Sequence, residues 1–173
     1  LSGASFCDEM LRIAATETLS LIVENSHMLN TKNTNVKKRI TTFLNNDQGT
    51  KTISQYSNRI EGTILWMDGE LPVQGSNDAD NQNDEDKDPY KSASVLKLFE
   101  SLCLGQYVEA QNMIMTQSVD DPINFLSLTV HYLSSCSKRI ESQINEIEVT
   151  VGTLKTALSG PNLTNQYYLA TET

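Results

Sequence analysis

The sequence predicts an all-α protein, an armadillo-like stack of about six to eight helices interrupted by a disordered acidic linker. Apolar residues recur at spacings near 3.6 in both halves of the chain, as they do on the buried face of a helix. No run of alternating apolar and polar residues bounded by turns indicates a sheet. The connections between the helices are short, which is typical of helix pairs that stack on their neighbours. A compact helical bundle is the alternative arrangement.

The apolar pattern in residues 1–70 predicts an N-terminal helical part with three helices. The first has an apolar face made of Phe6, Met10, Ile13, Leu19, Ile22 and Val23. Asparagine and threonine then break the pattern, because their side chains favour turns and helix starts. The second helix has apolar residues at Val36, Ile40, Phe43 and Leu44. The third has them at Ile53, Tyr56, Ile60, Ile64 and Leu65.

The composition of residues 71–90 predicts a disordered acidic linker. Residues 78–88 contain six acidic side chains and one lysine. Ala79 is the one apolar residue between positions 76 and 88, so this segment buries too little surface to offset its ordering entropy. The alternating acids do not form an EF-hand. Its sixth position would be Asn83 instead of glycine, and its twelfth would be Pro89 instead of glutamate.

The apolar pattern in residues 91–173 predicts a second helical part, and we expect it to form one structural unit with residues 1–70. Gly105 is expected to separate two helices, and Asp121 followed by Pro122 is expected to start another. Gly160 followed by Pro161 predicts a helix end, because glycine tolerates the left-handed conformation and proline cannot continue the helix. The last helix is expected to pack back through Tyr167, Tyr168 and Leu169, with Asn165 or Gln166 bonded to the carbonyls at the break.

The composition limits the possible partners and the compartment. The net charge of −9 leaves no basic stripe that could follow a phosphate backbone, so we expect no nucleic-acid partner. The three cysteines (Cys7, Cys103 and Cys136) are odd in number and lie in apolar settings, which predicts reduced, buried thiols in the cytosol. The sequence has neither a signal peptide nor an apolar run near the ~18 residues of a membrane span. It starts without methionine at Leu1, so we expect a segment of a larger protein.

No motif indicates catalysis, a cofactor or a metal site. The sequence has no glycine-rich phosphate loop, no nucleophile elbow and no cysteine–histidine set with zinc spacing. We therefore expect a non-enzymatic protein that needs no cofactor. Lys37, Lys38 and Arg39 precede Thr41, which suggests either a basophilic kinase site or the solvent-exposed face of the second helix. We favour the exposed face.

Four stretches carry a resemblance to a known family. Residues 96–117 contain Leu102–Cys103, then Gln111–Asn112, and close on Gln117. Residues 154–170 contain Gly160–Pro161 followed by Asn165–Gln166. The other two stretches are MLNTKNTNVKKRITTFL at 28–44 and INFLSLTVHYL at 123–133. In this order they resemble the RIH-associated region of inositol trisphosphate and ryanodine receptor calcium-release channels.

The resemblance implies a function and a set of partners. It implies a non-catalytic cytosolic segment, on the cytoplasmic face of the endoplasmic reticulum, that transmits conformational change from ligand-binding regions to the pore. Its partners would be other domains of the parent chain and neighbouring subunits of a homotetramer, with the membrane reached only through the parent protein. It does not distinguish the inositol trisphosphate type from the ryanodine type. The alternative is an armadillo-like interaction scaffold in another large cytosolic or ciliary protein.

The resemblance also implies which residues form a family packing motif, namely Leu102, Cys103, Gln111, Asn112, Gly160, Pro161, Asn165 and Gln166. We expect the four amides to cap helices and bridge turns instead of binding a ligand. Two positions depart from the family pattern. Asn162 stands where the family usually has cysteine, and Lys138 stands near the position of a glutamate implied in calcium sensing. Glu141 is the nearest candidate for that acid, and the one weak metal candidate in the chain.

Overall fold

The computed structural model describes residues 3–28, 33–70, 91–139 and 143–172. These residues form eight α-helices and no strand, which confirms the predicted all-α class. The helices are α1 (Gly3–Met28), α2 (Asn33–Leu44), α3 (Thr50–Met67), α4 (Ser92–Cys103), α5 (Val108–Met115), α6 (Phe125–Ser137), α7 (Ile144–Leu158) and α8 (Leu163–Glu172). The predicted linker at 71–90 and the candidate Glu141 lie outside the described residues.

Many helix contacts join helices that are three apart in chain order, and α6 also packs on α7. α1 packs on α4, and α4 packs on α7. In the same way α2 contacts α5, α5 contacts α8, and α3 contacts α6. Armadillo and related repeats use two or three helices each, so this spacing is compatible with the predicted armadillo-like stack, whose superhelical geometry stays a prediction.

α4 lies at the centre of the apolar core. Six of its apolar side chains are fully buried: Val95, Leu96, Leu98, Phe99, Leu102 and Cys103. The Phe99 ring makes edge contacts with the rings of Tyr56 and Phe125, at centroid distances of 6.0 and 4.8 Å. Aromatic pairs prefer such arrangements over face-to-face stacks. The core thus includes side chains from both sides of the 71–90 segment.

The loop before α6 corrects a predicted helix start. Asp121 and Pro122 do not begin the helix; α6 begins at Phe125. Its cap is Asn124, whose side chain accepts a hydrogen bond from the backbone N–H of Ser127 at 3.0 Å. Before the cap, Ile123 donates its N–H to Oε1 of buried Gln117 (2.8 Å), and Nε2 of that glutamine donates to the Ile123 carbonyl (3.0 Å). These two bonds hold the loop between Gln117 and Ile123 in place ahead of α6.

The structure also corrects the prediction that the cations of α2 lie on one exposed face. Lys38 and Arg39 are exposed, but Lys37 is only 4% exposed. The Lys37 Nζ donates to the Leu104 carbonyl at 2.6 Å, at the end of α4, where a cation is favoured by the helix dipole. Thr41 is 4% exposed, so its hydroxyl is not accessible to a kinase.

Candidate functional site

α5, α7 and α8 meet where α7 ends, and four amide side chains fill that point. We call this set the amide junction: Gln111 on α5, Asn162 before α8, and Asn165 and Gln166 on α8. Local sequence explains why α7 ends there. Gly160 has φ +73°, the left-handed conformation predicted for it, and Pro161 then directs the chain into the start of α8.

Gln111 caps the end of α7 from another helix. Its Nε2 donates to the Thr156 carbonyl at 2.7 Å and to the Ser159 carbonyl at 2.9 Å. The last four carbonyls of any helix lack a partner within the helix, and these bonds supply one. The Gln111 side chain is fully buried, so solvent does not compete for these carbonyls.

Asn165 joins two helices to a third. It is fully buried, and its Nδ2 donates to the Gln111 carbonyl of α5 (2.8 Å) and to the Ala157 carbonyl of α7 (3.2 Å). Asn162 positions this residue, because its Oδ1 accepts the backbone N–H of Asn165 at 3.2 Å. The Nδ2 of Asn162 also donates to Oδ1 of Asn112 at 3.0 Å.

Gln166 completes the junction on its outer side. Its Nε2 donates to the carbonyls of Leu158 and Gly160 at 2.8 and 2.9 Å. The expectation that Asn165 or Gln166 bonds the carbonyls at the break is therefore confirmed for both residues. The expected packing of α8 is wrong at Tyr167, which is 72% exposed. The expected packing is confirmed at Tyr168, which packs against the core.

Two left-handed turns touch beside the junction. A Cβ at Gly160 would lie 2.7 Å from the side-chain Oε1 of Gln106. Gln106 belongs to the turn between α4 and α5, where it has φ +61° and Gly105 has φ +78°. Glycine at position 160 therefore gives both the left-handed backbone and room for the neighbouring turn.

The structure divides the predicted packing motif into two groups. Gln111, Asn112, Gly160, Pro161, Asn165 and Gln166 lie together around the amide junction. Leu102 and Cys103 are instead fully buried in the core near the end of α4. Burial raises the pKa of the Cys103 thiol to about 12. That thiol is therefore protonated at neutral pH and is not a nucleophile.

The amide junction carries no charged side chain. All its side chains are neutral amides. Gln111, Asn165 and Gln166 donate to backbone carbonyls, whereas Asn162 donates to the side chain of Asn112. Among the described residues, Oε1 of Gln111 and Oδ1 of Asn165 are buried without a hydrogen-bond partner. The same part of the chain has no group of three histidine, cysteine or acidic side chains that could hold a metal ion.

The end of α6 has cations where the family resemblance implied an acid. The Nζ of Lys138 lies 2.8 Å from Oδ1 of Asp68, just after α3. The hydrogen bond from Lys138 is the main cause that lowers the pKa of Asp68 below the usual aspartate value. The Arg139 guanidinium lies 5.2 Å from the centroid of the Trp66 ring. These contacts join α6 to α3, and the charges of Lys138 and Arg139 both lower the pKa of Asp68.

Sequence reasoning missed two contributors to helix packing. Asn162 was noted only as a departure, although an asparagine three residues before another polar helix residue is a recognisable cap signal. Thr153 had no sequence signal, since its role depends on a neighbour. Its Oγ1 donates to the Leu96 carbonyl of α4 at 2.9 Å.

The family comparison agrees with most of the resemblance. The sequence profile of the family described as RyR and IP3R Homology associated matches residues 87–173. Because this match covers half of the chain, the chain belongs to that family. The match contains the amide junction and three of the four resembling stretches, whereas residues 28–44 lie outside it. No curated protein and no solved structure matches the chain.

Among the described residues, no helix is both long and apolar enough to span a lipid bilayer.

Proposed function

We propose that the chain is a non-catalytic segment of an intracellular ligand-gated calcium-release channel and that it transmits conformational change from ligand-binding regions to the pore. Family membership carries this proposal, because the family is defined by homology to ryanodine and inositol trisphosphate receptors. In the parent, the segment would lie on the cytoplasmic face of the endoplasmic reticulum membrane. Its partners would be other domains of the same chain and neighbouring subunits of a homotetramer.

The amide junction supports a mechanical role. A segment that passes on a rotation must keep the angles between its helices fixed under load. Packed interiors resist compression and switch between discrete arrangements instead of deforming continuously. Gln111 and Asn165 attach α5 and α8 to backbone carbonyls of α7, so a movement of one helix end moves the other two.

The outer helices of the stack offer surfaces for neighbouring domains. On α1, Leu11 and Leu21 are 69% and 57% exposed, and on α7, Ile144 and Val151 are 63% and 48% exposed. Helices of a stack contact their neighbours through such side chains. In the proposed channel, these rows would contact the preceding and following parts of the parent chain.

A substitution at Gly160 tests the proposal in the parent protein. Gly160→Val forces a β-branched side chain into positive φ, at a cost of about 1–2 kcal/mol, and directs it at Gln106. We expect the purified chain to melt several degrees lower. We expect the full-length channel to bind inositol trisphosphate or ryanodine with unchanged affinity but to open less at saturating ligand, measured in single-channel recordings.

Gly69→Val is the matched control. Gly69 also has positive φ, +80°, but a Cβ there would have no atom within 4 Å. This variant should carry similar backbone strain without disturbing the amide junction, so channel opening should stay normal. Normal opening in Gly160→Val, or equal loss in both variants, would contradict the proposed transmission. A parent gene without downstream transmembrane helices would favour the scaffold alternative.

A further inference from the structure

The outer side of α2 has two adjoining depressions, and no residue of the amide junction lines either of them. The first, which we call the apolar groove, has a volume of about 230 Å³. Its lining residues are Leu19, Arg39, Ile40, Phe43, Leu44, Thr52, Tyr56 and Leu98. The second, the basic cleft, has a volume of about 480 Å³ and is lined by Asn35, Lys38, Arg39, Thr42, Phe43, Asn46 and Gln48. Arg39 and Phe43 border both.

Unpaired positive charge distinguishes the basic cleft. Lys38 and Arg39 are exposed, and among the described residues neither makes an ion pair. In the described part of the chain, no acidic side chain lines either depression. Elsewhere on this acidic protein, by contrast, Lys97 pairs with Glu100 and Lys138 pairs with Asp68. α2 therefore presents a local cationic site on a chain of net charge −9.

The apolar groove has the size and chemistry of a side-chain pocket. Its floor consists of Leu44, Tyr56 and Leu98, all less than 10% exposed, and Phe43 forms a wall that is 42% exposed. A cavity of about 150 Å³ lined by similar side chains accepts a benzene ring. A volume of 230 Å³ therefore accepts one phenylalanine or leucine side chain, whereas pockets for whole small molecules start near 300 Å³.

We propose that the apolar groove and the basic cleft together bind an acidic peptide segment of a partner protein. One bulky apolar side chain of the segment enters the groove, and carboxylates beside it pair with Lys38 and Arg39. Charge complementarity identifies the partner as acidic, and the volume of the groove limits the anchor to one side chain. Protein interfaces commonly have an apolar anchor at the centre and polar or charged residues at the rim.

Two other occupants fit these observations less well. Nucleic acid requires many cations along its backbone, and this site has two on an acidic protein. A second copy of the chain in a symmetric contact would place the same patch against itself. Lys38 and Arg39 would then face their own equivalents across the interface.

A peptide titration with the whole 173-residue chain tests the proposal. The probe is a fluorescein-labelled peptide of about eight residues, which spans about 26 Å when extended, with one phenylalanine between glutamates. Fluorescence anisotropy at low salt should show saturable binding. Replacing the phenylalanine of the peptide with alanine should weaken binding at least about tenfold, the effect of burying one aromatic side chain.

Variants of the protein locate the site. K38Q/R39Q should weaken binding about fivefold, because two exposed ion pairs are lost. K51Q changes an exposed lysine that lines neither depression and should bind like the wild type. F43S should lose the preference for the phenylalanine peptide. Equal melting temperatures of all three variants would show that folding is not the cause.

Three results would overturn the proposal. The first is no saturable binding at peptide concentrations up to about 1 mM, the weak end of specific affinities. The second is equal binding of the phenylalanine and alanine peptides, or equal loss in K51Q, since either would mean non-specific attraction. The third is a dimer of the unliganded chain in sedimentation equilibrium that F43S abolishes, since the occupant would then be a second copy.

Discussion

The two parts of the chain are held to α4 and its neighbours by different chemistry. In the family-matched part, side-chain amides bind the backbone carbonyls at a helix end, as Gln111 does at the end of α7. In the N-terminal part, α1 and α3 meet α4 through hydroxyl pairs along the helix flanks. Ser20 lies 3.3 Å from Ser101, and Thr63 lies 2.6 Å from Ser92, between their oxygen atoms.

The difference concerns what each contact fixes. A hydroxyl group rotates to suit its partner, so a flank-to-flank pair allows close approach but sets no direction. Asn165 instead contacts carbonyls of two different helices, so it fixes the position of both relative to α8. The buried amides of the family-matched part therefore fix helix positions more strictly than the hydroxyl pairs do.

The largest expected loss of unfolding free energy comes from removing the side-chain amide of Asn165, which joins three helices. Asn165→Ala leaves the buried carbonyls of Gln111 and Ala157 without this donor, which we expect to cost about 2–3 kcal/mol of unfolding free energy. Chemical denaturation measures this loss. Asn112→Ala, at an exposed amide of the same region, should cost less than half as much. Equal losses would mean that the amide junction has no special rigidity.

A smaller loss of unfolding free energy is expected at Lys37, whose ammonium group caps the end of α4. Lys37→Ala removes the bond to the Leu104 carbonyl and the buried methylene stem. We expect a loss of about 1–2 kcal/mol. Lys38→Ala, one residue further on the exposed face, should change the unfolding free energy by less than about 0.5 kcal/mol. An unchanged unfolding free energy in Lys37→Ala would show that this lysine does not stabilise the end of α4.

The smallest effect belongs to the surface ion pair between Asp68 and Lys138. Because the pair is solvent-exposed, Asp68→Asn should cost less than about 1 kcal/mol at neutral pH. The folded state lowers the pKa of Asp68. Its stabilisation is therefore present above the ordinary aspartate pKa near ~3.9 and is lost as the pH falls through the lower folded-state value.

NMR titration of the Asp68 carboxyl measures this pKa directly. Lys138→Ala should raise the midpoint towards the ordinary aspartate value, because the first cause of the shift is removed. Lys155→Ala, at an exposed lysine of α7, should leave it unchanged. If the pKa of Asp68 in the wild type equals the usual aspartate value, Lys138 does not stabilise this carboxylate.

Sequence reasoning predicted well where the structure depends on short stretches of chain. The apolar spacing gave the helices, Gly105 predicted a break between two of them, Gly160 predicted a left-handed turn, and Asn165 and Gln166 were expected at a helix end. These features follow from local rules, because a backbone conformation or a cap involves residues only a few positions apart. The start of α6 was misjudged, since Gln117 holds Ile123 by bonds that no local rule contains.

The sequence by itself determined the all-α class, the family and the breaks after α4 and α7, at Gly105 and Gly160. Only the tertiary structure decided that Lys37 is buried while Lys38 is not, and that Gln111 of α5 caps α7. It also decided that Arg39 and Phe43 border both a groove and a cleft. Periodicity specifies which residues share a face of one helix, but burial and hydrogen-bond partners depend on which helix packs against that face.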